Sequence, residues 1–293
     1  MKECLDSDWK FHFGDIPIEQ PMTGTYALVK AGVGLGPADP KFDDQNWRKL
    51  DLPHDWAVEG KISSKANRDQ GFLPRGIGWY RKKFSLPPEV KGKKVYLEFE
   101  AVSRNATVWL NGFRLGNHPS GYTSFFYDTS DIVTPKGGEN TLVVKVDCTE
   151  MEGWWYEGCG IYRHVWLIVK ERIHFEHWGI FVRTPRVSSK KALVLIQTDA
   201  RNEEETEQEV EIKQTIFDEG VGFGEAGLIN QVNSKGTKVA EVSTSLKLKA
   251  GESKKIEQKI VLENPKLWSP DTPNLYRVQT QLSQGNRLLD SEE

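Results

Sequence analysis

The sequence predicts an all-β chain built as two successive β-sandwiches. Short alternating apolar runs recur along it, Gly and Pro clusters separate those runs, and the tryptophans are unevenly shared. Nine of the 10 Trp lie in the first 178 residues and only Trp268 follows. At roughly 100–200 residues per domain, 293 residues hold two domains, each able to bury a core. The texture changes near residue 172, which divides the chain into 1–172 and 173–293. Strand and helix patterns nowhere alternate, so no (β/α)8 barrel is expected within it.

Residues 95–100 (VYLEFE) place Val95, Leu97 and Phe99 on one face of a strand. Residues 107–116 (TVWLNGFRLG) read as a hairpin turning at Asn111-Gly112, since a type I′ turn needs positive φ at both central residues. The runs 141–147 (TLVVKVD) and 161–169 (IYRHVWLIV) are further strands. Clusters at Gly32–Pro40, Pro87-Pro88, Pro119–Gly121 and Pro135–Gly138 separate them. Beyond Trp178 the strands are plainer. Val210 and Ile212, then Ile256, Ile260 and Leu262, then Tyr276, Val278, Thr280 and Leu282 alternate with polar neighbours, giving a sheet with one dry face. About 115–120 such residues suit an immunoglobulin-like sandwich. Glu203-Glu204-Glu205 reads as a solvated connection and the glycine-rich 220–227 as a β-loop, with no helix following to make it a phosphate loop.

Composition excludes several classes. The formal net charge of −3 offers no clustered positive field, so nucleic acid is not an expected partner. Cys4, Cys148 and Cys159 are too few for a disulfide framework, and a Cys148–Cys159 bridge is left open. There is no CxxC and no His pair at i,i+4 around a carboxylate, so neither metal nor cofactor is expected. No apolar run approaches the roughly 20 residues that cross a bilayer, so no membrane association is expected. No apolar stretch follows Lys2 as in a signal peptide; a leader removed beforehand would leave the same start and place the protein in the periplasm or outside the cell, otherwise the cytoplasm.

Two stretches offer chemistry. Residues 150–163 (EMEGWWYEGCGIYR) combine rings with acidic groups and glycines. Sugar sites pair apolar ring faces, which stack on pyranose C–H groups, with polar groups that grip hydroxyls. Trp154, Trp155, Tyr156 and Glu157 supply that mixture, although the same rings could pack beneath a loop. Residues 69–78 (DQGFLPRGIG) form a second loop, in which Asp69 and Arg75 are either sugar contacts or a surface ion pair with each other. His54-Asp55 is not read as an acid–base pair, because neighbours on an extended segment point apart, and a packed, hydrogen-bonded His54 is expected. GxSxG is absent. Trp109 and Trp166 are expected to fill the space between sheets, and Trp9, Trp47, Trp56 and Trp79 to be structural.

Seven segments then stand in a recognisable order: DWKFHFGD (8–15), LPHDW (52–56), GWYRKKF (78–84), LEFEAVSRNATVWLNGFRLGNHPSGYTSFFYDTSD (97–131), GENTLVVKVD (138–147), GIYRHVWL (160–167) and NPKLWSPDTPNLY (264–276). Together they resemble the N-terminal half of glycoside hydrolase family 2, bacterial β-galactosidases in particular. The resemblance implies a jelly-roll sugar-binding domain over 1–172, an immunoglobulin-like domain over 173–293 whose last strand is cut partway, and a separate C-terminal barrel that holds both catalytic carboxylates. It implies a β-linked sugar or glycan as ligand, the missing barrel as partner, a homo-oligomer at full length, and no catalytic residue here. Asn202-Glu203 imitates the family's Asn–acid/base pair but lies in a sandwich connection. In relatives the loop before the GIYR-like motif reaches the barrel and shapes the sugar subsite; some carry an Asp there, where this chain has Gly153 and Trp154. An Asn that contacts sugar in some relatives is matched by Arg75. The resemblance also leaves open a stand-alone carbohydrate-binding module and a β-glucuronidase or β-mannosidase.

Overall fold

The computed structural model describes residues 1–17, 34–134, 138–221 and 236–293. They form two compact units, Met1–Val169 and Lys170–Glu293. In the first lie β1 (Lys2–Cys4), β2 (Trp9–Phe13), β3 (Arg48–Leu50), β4 (Ile77–Ser85), β5 (Lys94–Phe99), β6 (Ala106–Leu110), β7 (Phe113–His118), β8 (Phe125–Asp128), β9 (Glu139–Asp147) and β10 (Val165–Lys170). One sheet has six strands in the order β3-β2-β4-β9-β6-β7 and the other four, β1-β10-β5-β8. Because side chains alternate across each strand, Phe11, Tyr80, Val108 and Val144 from the first sheet meet Leu97, Phe99 and Leu167 from the second in one core. This is the jelly-roll sandwich.

The β6–β7 turn has Asn111 at φ 52° and Gly112 at φ 82°, as its sequence demands. The Asn111 amide also reaches outward, donating to Ile132 O at 3.0 Å and Asn140 Oδ1 at 2.8 Å, while its oxygen accepts from Thr141 N at 2.9 Å. Two ring assignments are corrected. Trp109 alternates with the core residues Val108 and Leu110, so it faces away from the core and stacks on Trp79 at 5.8 Å. Trp166 likewise faces outward and donates from Nε1 to Glu100 Oε1 at 2.9 Å. The outer face of the six-stranded sheet is covered rather than wet near Arg81. Its guanidinium bonds Asp44 Oδ2 at 2.8 Å and Asp39 O at 3.0 Å and lies over the Phe42 ring. The expected strand at 161–169 begins only at Val165, because Ile161 is diverted to accept from His54 N at 2.8 Å.

The second unit contains β11 (Ile173–Val187), β12 (Lys191–Asn202), β13 (Gln208–Val221), β14 (Thr237–Leu248), β15 (Ser253–Glu263), β16 (Asn274–Gln284) and β17 (Arg287–Glu292). Sheets β11-β12-β15 and β14-β13-β16-β17 make an immunoglobulin-like sandwich. Its inner face holds two apolar clusters, one around Phe175, Ile212, Leu248 and Leu282, the other around Ile196, Ile216 and Ile260. A polar layer lies between them in strand register. Thr198 stands between Ile196 and Ala200, Gln214 between Ile212 and Ile216, Gln258 between Ile256 and Ile260, and Thr280 between Val278 and Leu282. Gln214 accepts from the Thr280 hydroxyl at 2.6 Å and donates to Thr198 Oγ1 at 3.0 Å, and Gln258 donates to Ile212 O at 3.1 Å and Thr244 Oγ1 at 3.0 Å. Residues 203–205 connect β12 to β13, as expected. Of the glycine-rich stretch 220–227, residues 222–227 lie outside the described residues.

Leaving a buried polar atom without a partner costs its desolvation. Gln214→Leu therefore strands the Thr198 and Thr280 hydroxyls, and urea titration should show a loss of about 1–3 kcal/mol. An unchanged midpoint would mean that the layer contributes nothing to stability.

Candidate functional site

The connection from β9 to β10 spans 148–164 and contains no strand. Its glycines explain its course. Gly158 and Gly160 have φ of +77° and +139°, and a Cβ on Gly160 would lie 2.4 Å from His54 O and 2.6 Å from the Tyr80 hydroxyl oxygen. The chain is thereby pressed against the segment carrying His54 and α1 (Trp56–Glu59).

Side chains from distant positions then strap this loop down. Arg75 donates from Nε to Cys148 O at 2.9 Å, from Nη1 to Gln70 Oε1 at 2.8 Å and from Nη2 to Glu150 O at 2.7 Å. Its Nη1 also forms an ion pair with Glu157 Oε2 at 3.1 Å, the two side chains being only 12% and 3% exposed. The other Glu157 oxygen accepts from the Glu152 and Gly153 N–H groups, both at 2.9 Å. Gln70 donates to Gly153 O at 3.0 Å and accepts from Glu157 N at 3.1 Å. Ser103 Oγ donates to Glu157 O at 2.9 Å, and Arg104 Nη1 to Glu150 O at 2.9 Å. Asp55 caps α1 by accepting from Ala57 N at 2.9 Å, and it also accepts from Cys159 N at 3.0 Å and from the Tyr156 hydroxyl. Cys148 and Cys159 are buried free thiols, and the hydrogen bond between their side chains pushes the Cys159 thiol up.

The alternative of a surface ion pair between Arg75 and Asp69 is not what forms: Asp69 pairs with its neighbour Arg68 at 3.3 Å, while Arg75 turns inward to Glu157. A guanidinium prefers a desolvated carboxylate and several carbonyls over one exposed partner. Asp69 adjoins Gln70, which donates to Gly153 O of the loop. The rings have the opposite fate. Trp154 is 83% exposed and Trp155 54%, with Tyr122 beside them, its hydroxyl oxygen accepting from Trp155 Nε1 at 3.3 Å. The arrangement is a rigid polar base that holds an aromatic platform in water, suited to stacking on an apolar ring face. Gln70, Ser103, Arg104 and Asp55 escaped sequence reasoning because their partners are 46 to 104 residues away. Asp55 before the WAVE turn is the one readable signal, as a helix cap.

His54 is buried and hydrogen-bonded, as expected, with Nδ1 at 2.7 Å from the Tyr80 hydroxyl oxygen and Nε2 at 3.3 Å from Glu59 Oε2. Burial lowers its pKa, and the hydrogen bond from Arg48 holds the Glu59 carboxyl down at about 2. Asn202 and Glu203 have structural roles. Asn202 is fully buried and donates to Leu248 O at 3.0 Å, and Glu203 pairs with Arg201 at 2.9 Å.

Residues 52–158 match the galactose-binding domain-like model of glycosyl hydrolase 2, and residues 173–293 match the model of glycosyl hydrolases family 2. The chain is 37% identical over 290 residues to the β-galactosidase BoGH2A of Bacteroides ovatus, covering 98% of this chain and 30% of that one. A solved family 2 glycosyl hydrolase from Bacteroides cellulosilyticus superposes with TM-score 0.80 at 32% identity, covering 99% of this chain and 35% of that one. A β-glucuronidase from Bacteroides uniformis superposes with TM-score 0.79 at 28% identity, covering 100% and 31%. The chain thus spans about a third of the length of these relatives.

Two outcomes follow from the strapping. Arg75→Met leaves the Glu157 carboxylate buried without its partner, a change worth about 3–5 kcal/mol for a buried pair. Amide exchange over 150–158 should accelerate strongly, and retention of protection would show that Arg75 is dispensable. Because folding lowers the His54 pKa, the unfolded chain takes up that proton first. Stability is therefore fullest above the ordinary imidazole value of 6.5 and falls as pH drops below it; the share due to Glu59 is lost only between 4.5 and about 2. His54→Gln should reduce the fall in melting temperature between pH 7 and 5.5, and an equal fall in both proteins would assign the slope elsewhere.

Proposed function

Since the chain belongs to glycoside hydrolase family 2 and carries its galactose-binding-like and immunoglobulin-like domains, we propose that it is the non-catalytic N-terminal part of a retaining β-glycosidase of the β-galactosidase type. The complete protein would hydrolyse a terminal β-linked sugar. A retaining enzyme needs two carboxyl groups about 5–5.5 Å apart, one as nucleophile and one as acid/base, and those would belong to a C-terminal barrel. This part would wall the sugar subsite. Trp154 and Trp155 would stack on the substrate, and Asp69, on the turn adjoining the loop, would be the carboxylate available to sugar hydroxyls. Arg75 and Glu157 would act as positioning residues, since both are engaged within the loop's own base.

The observation that carries this reading is the pairing of two well-exposed indoles with a backbone held by side chains from three other segments. An unliganded surface has no need of that rigidity, whereas a stacking platform does, because ordering a loop on binding costs affinity. The family's substrates differ, and the β-glucuronidase neighbour leaves the sugar to be decided by experiment.

The 293-residue chain alone should not turn over a chromogenic β-galactoside; steady turnover by purified protein would overturn the assignment of catalysis to a barrel. In the full-length enzyme, Trp154→Ala with Trp155→Ala should lower kcat/KM for a β-galactoside by about 10–100-fold, as expected for losing about 1–3 kcal/mol of ring contact. Unchanged kinetics would remove the rings from the subsite. Calorimetry with galactose on this chain should show binding weaker than about 1 mM (about −4 kcal/mol); tighter binding would favour a self-sufficient sugar-binding module.

A further inference from the structure

We propose that Cys4, Asp6 and His164 form a zinc-class metal site on the outer face of the four-stranded sheet. The antiparallel register of β1 and β10 sets Cys4 opposite Trp166, and Leu5 N donates to Val165 O at 2.8 Å, which continues the same register beyond β1. Asp6 therefore falls opposite His164, and Cys4 lies diagonally from it. Leu5, Val165 and Leu167 are buried in the core, so alternation turns Cys4, Asp6, His164 and Trp166 to the other face. The sequence offers no ligand spacing here, because the imidazole stands 158 residues from the carboxylate.

The ligand atoms are already gathered. One oxygen or nitrogen of Asp6 and His164 and the Cys4 sulfur lie within 4.8 Å of one another. His164 Nδ1 is 2.5 Å from Asp6 Oδ2, and Asp6 is fixed by accepting from Val165 N at 3.1 Å through its other oxygen. A tetrahedral zinc ion with bonds of about 2.0–2.3 Å needs ligand atoms a little over 3 Å apart, so modest side-chain rotation suffices. A thiolate, an imidazole and a carboxylate are the donor types zinc accepts, and a set containing sulfur disfavours magnesium and calcium. Cys4 and His164 are exposed, which leaves the fourth position to water. Glu100, 2.9 Å from Trp166 Nε1, is itself paired with Arg163 at 3.1 Å, so its charge beside the site is offset. Metal binding would replace the Cys4 proton, and one ion would tie the three-residue edge strand β1 to β10.

Cobalt(II), a spectroscopic substitute for zinc, tests this on the 293-residue chain under a phosphine reductant. The expected result is a near-ultraviolet thiolate-to-cobalt band with the visible bands of tetrahedral cobalt, both removed by one equivalent of zinc. Cys4→Ser should abolish the ultraviolet band, and His164→Asn should weaken zinc binding at least tenfold by calorimetry. Both positions are exposed, and unchanged circular dichroism would confirm that the variants fold. Absence of the band, its persistence in Cys4→Ser (which would assign it to Cys148 or Cys159), or equal zinc affinity in all three proteins would each overturn the proposal.

Discussion

The guanidinium of Arg75 faces a carboxylate, a side-chain amide and two main-chain carbonyls, and the course of the 148–164 connection depends on that set of contacts. A charge taken out of water must be matched closely, and here the match is made by the segment it supports. Glu157 would be intolerable without Arg75, Arg75 would be underused without the carbonyls of 148 and 150, and those carbonyls have no sheet to bond. The loop and its base therefore stand or fall together. Of the indoles at its tip, Trp155 adds one polar contact of its own, to the Tyr122 hydroxyl oxygen.

Much of the fold could be read from local pattern. Period-two alternation located several strands, such as 95–100 in the first unit and those through Ile212, Ile260 and Leu282 in the second, and Asn111-Gly112 fixed a turn, because those signals depend on residues close in sequence. The faces of the rings could not be read. Alternation says that Trp109 and Val108 point apart, but it does not say which face is covered. Residues near Phe42 cover Arg81 on what would otherwise be the wet face, and Trp109 lies flat on Trp79 there. The candidate site divided in the same way. The exposed tryptophans belonged to a compositional anomaly visible in the sequence, whereas Arg75's inward turn depended on Gln70 and Glu157 arriving together, which no local rule encodes.

The two sandwiches spend their polar groups differently. In the first unit, the buried polar side chains of Gln70, Ser103 and Glu157 organise a loop. In the second it crosses the middle of the core, where Thr198, Gln214, Gln258 and Thr280 occupy inward positions that would ordinarily be apolar. Such networks are stabilising only when nearly every member is satisfied, because a low dielectric magnifies both the bonds made and the bonds missed.

That layer has a further consequence for how the strands find one another. An all-apolar interior would accept β13 shifted by two residues along β16 almost as readily as in its native place, since the same face would stay inward. With Gln214 and Thr280 facing each other in register, a two-residue slip would push an amide into the aliphatic layer and leave a hydroxyl opposite isoleucine. The polar layer thus acts as an address label on the ladder: it penalises the near-miss alignments that hydrophobicity alone cannot tell apart, and it steers a chain of long, similar strands away from trapped pairings.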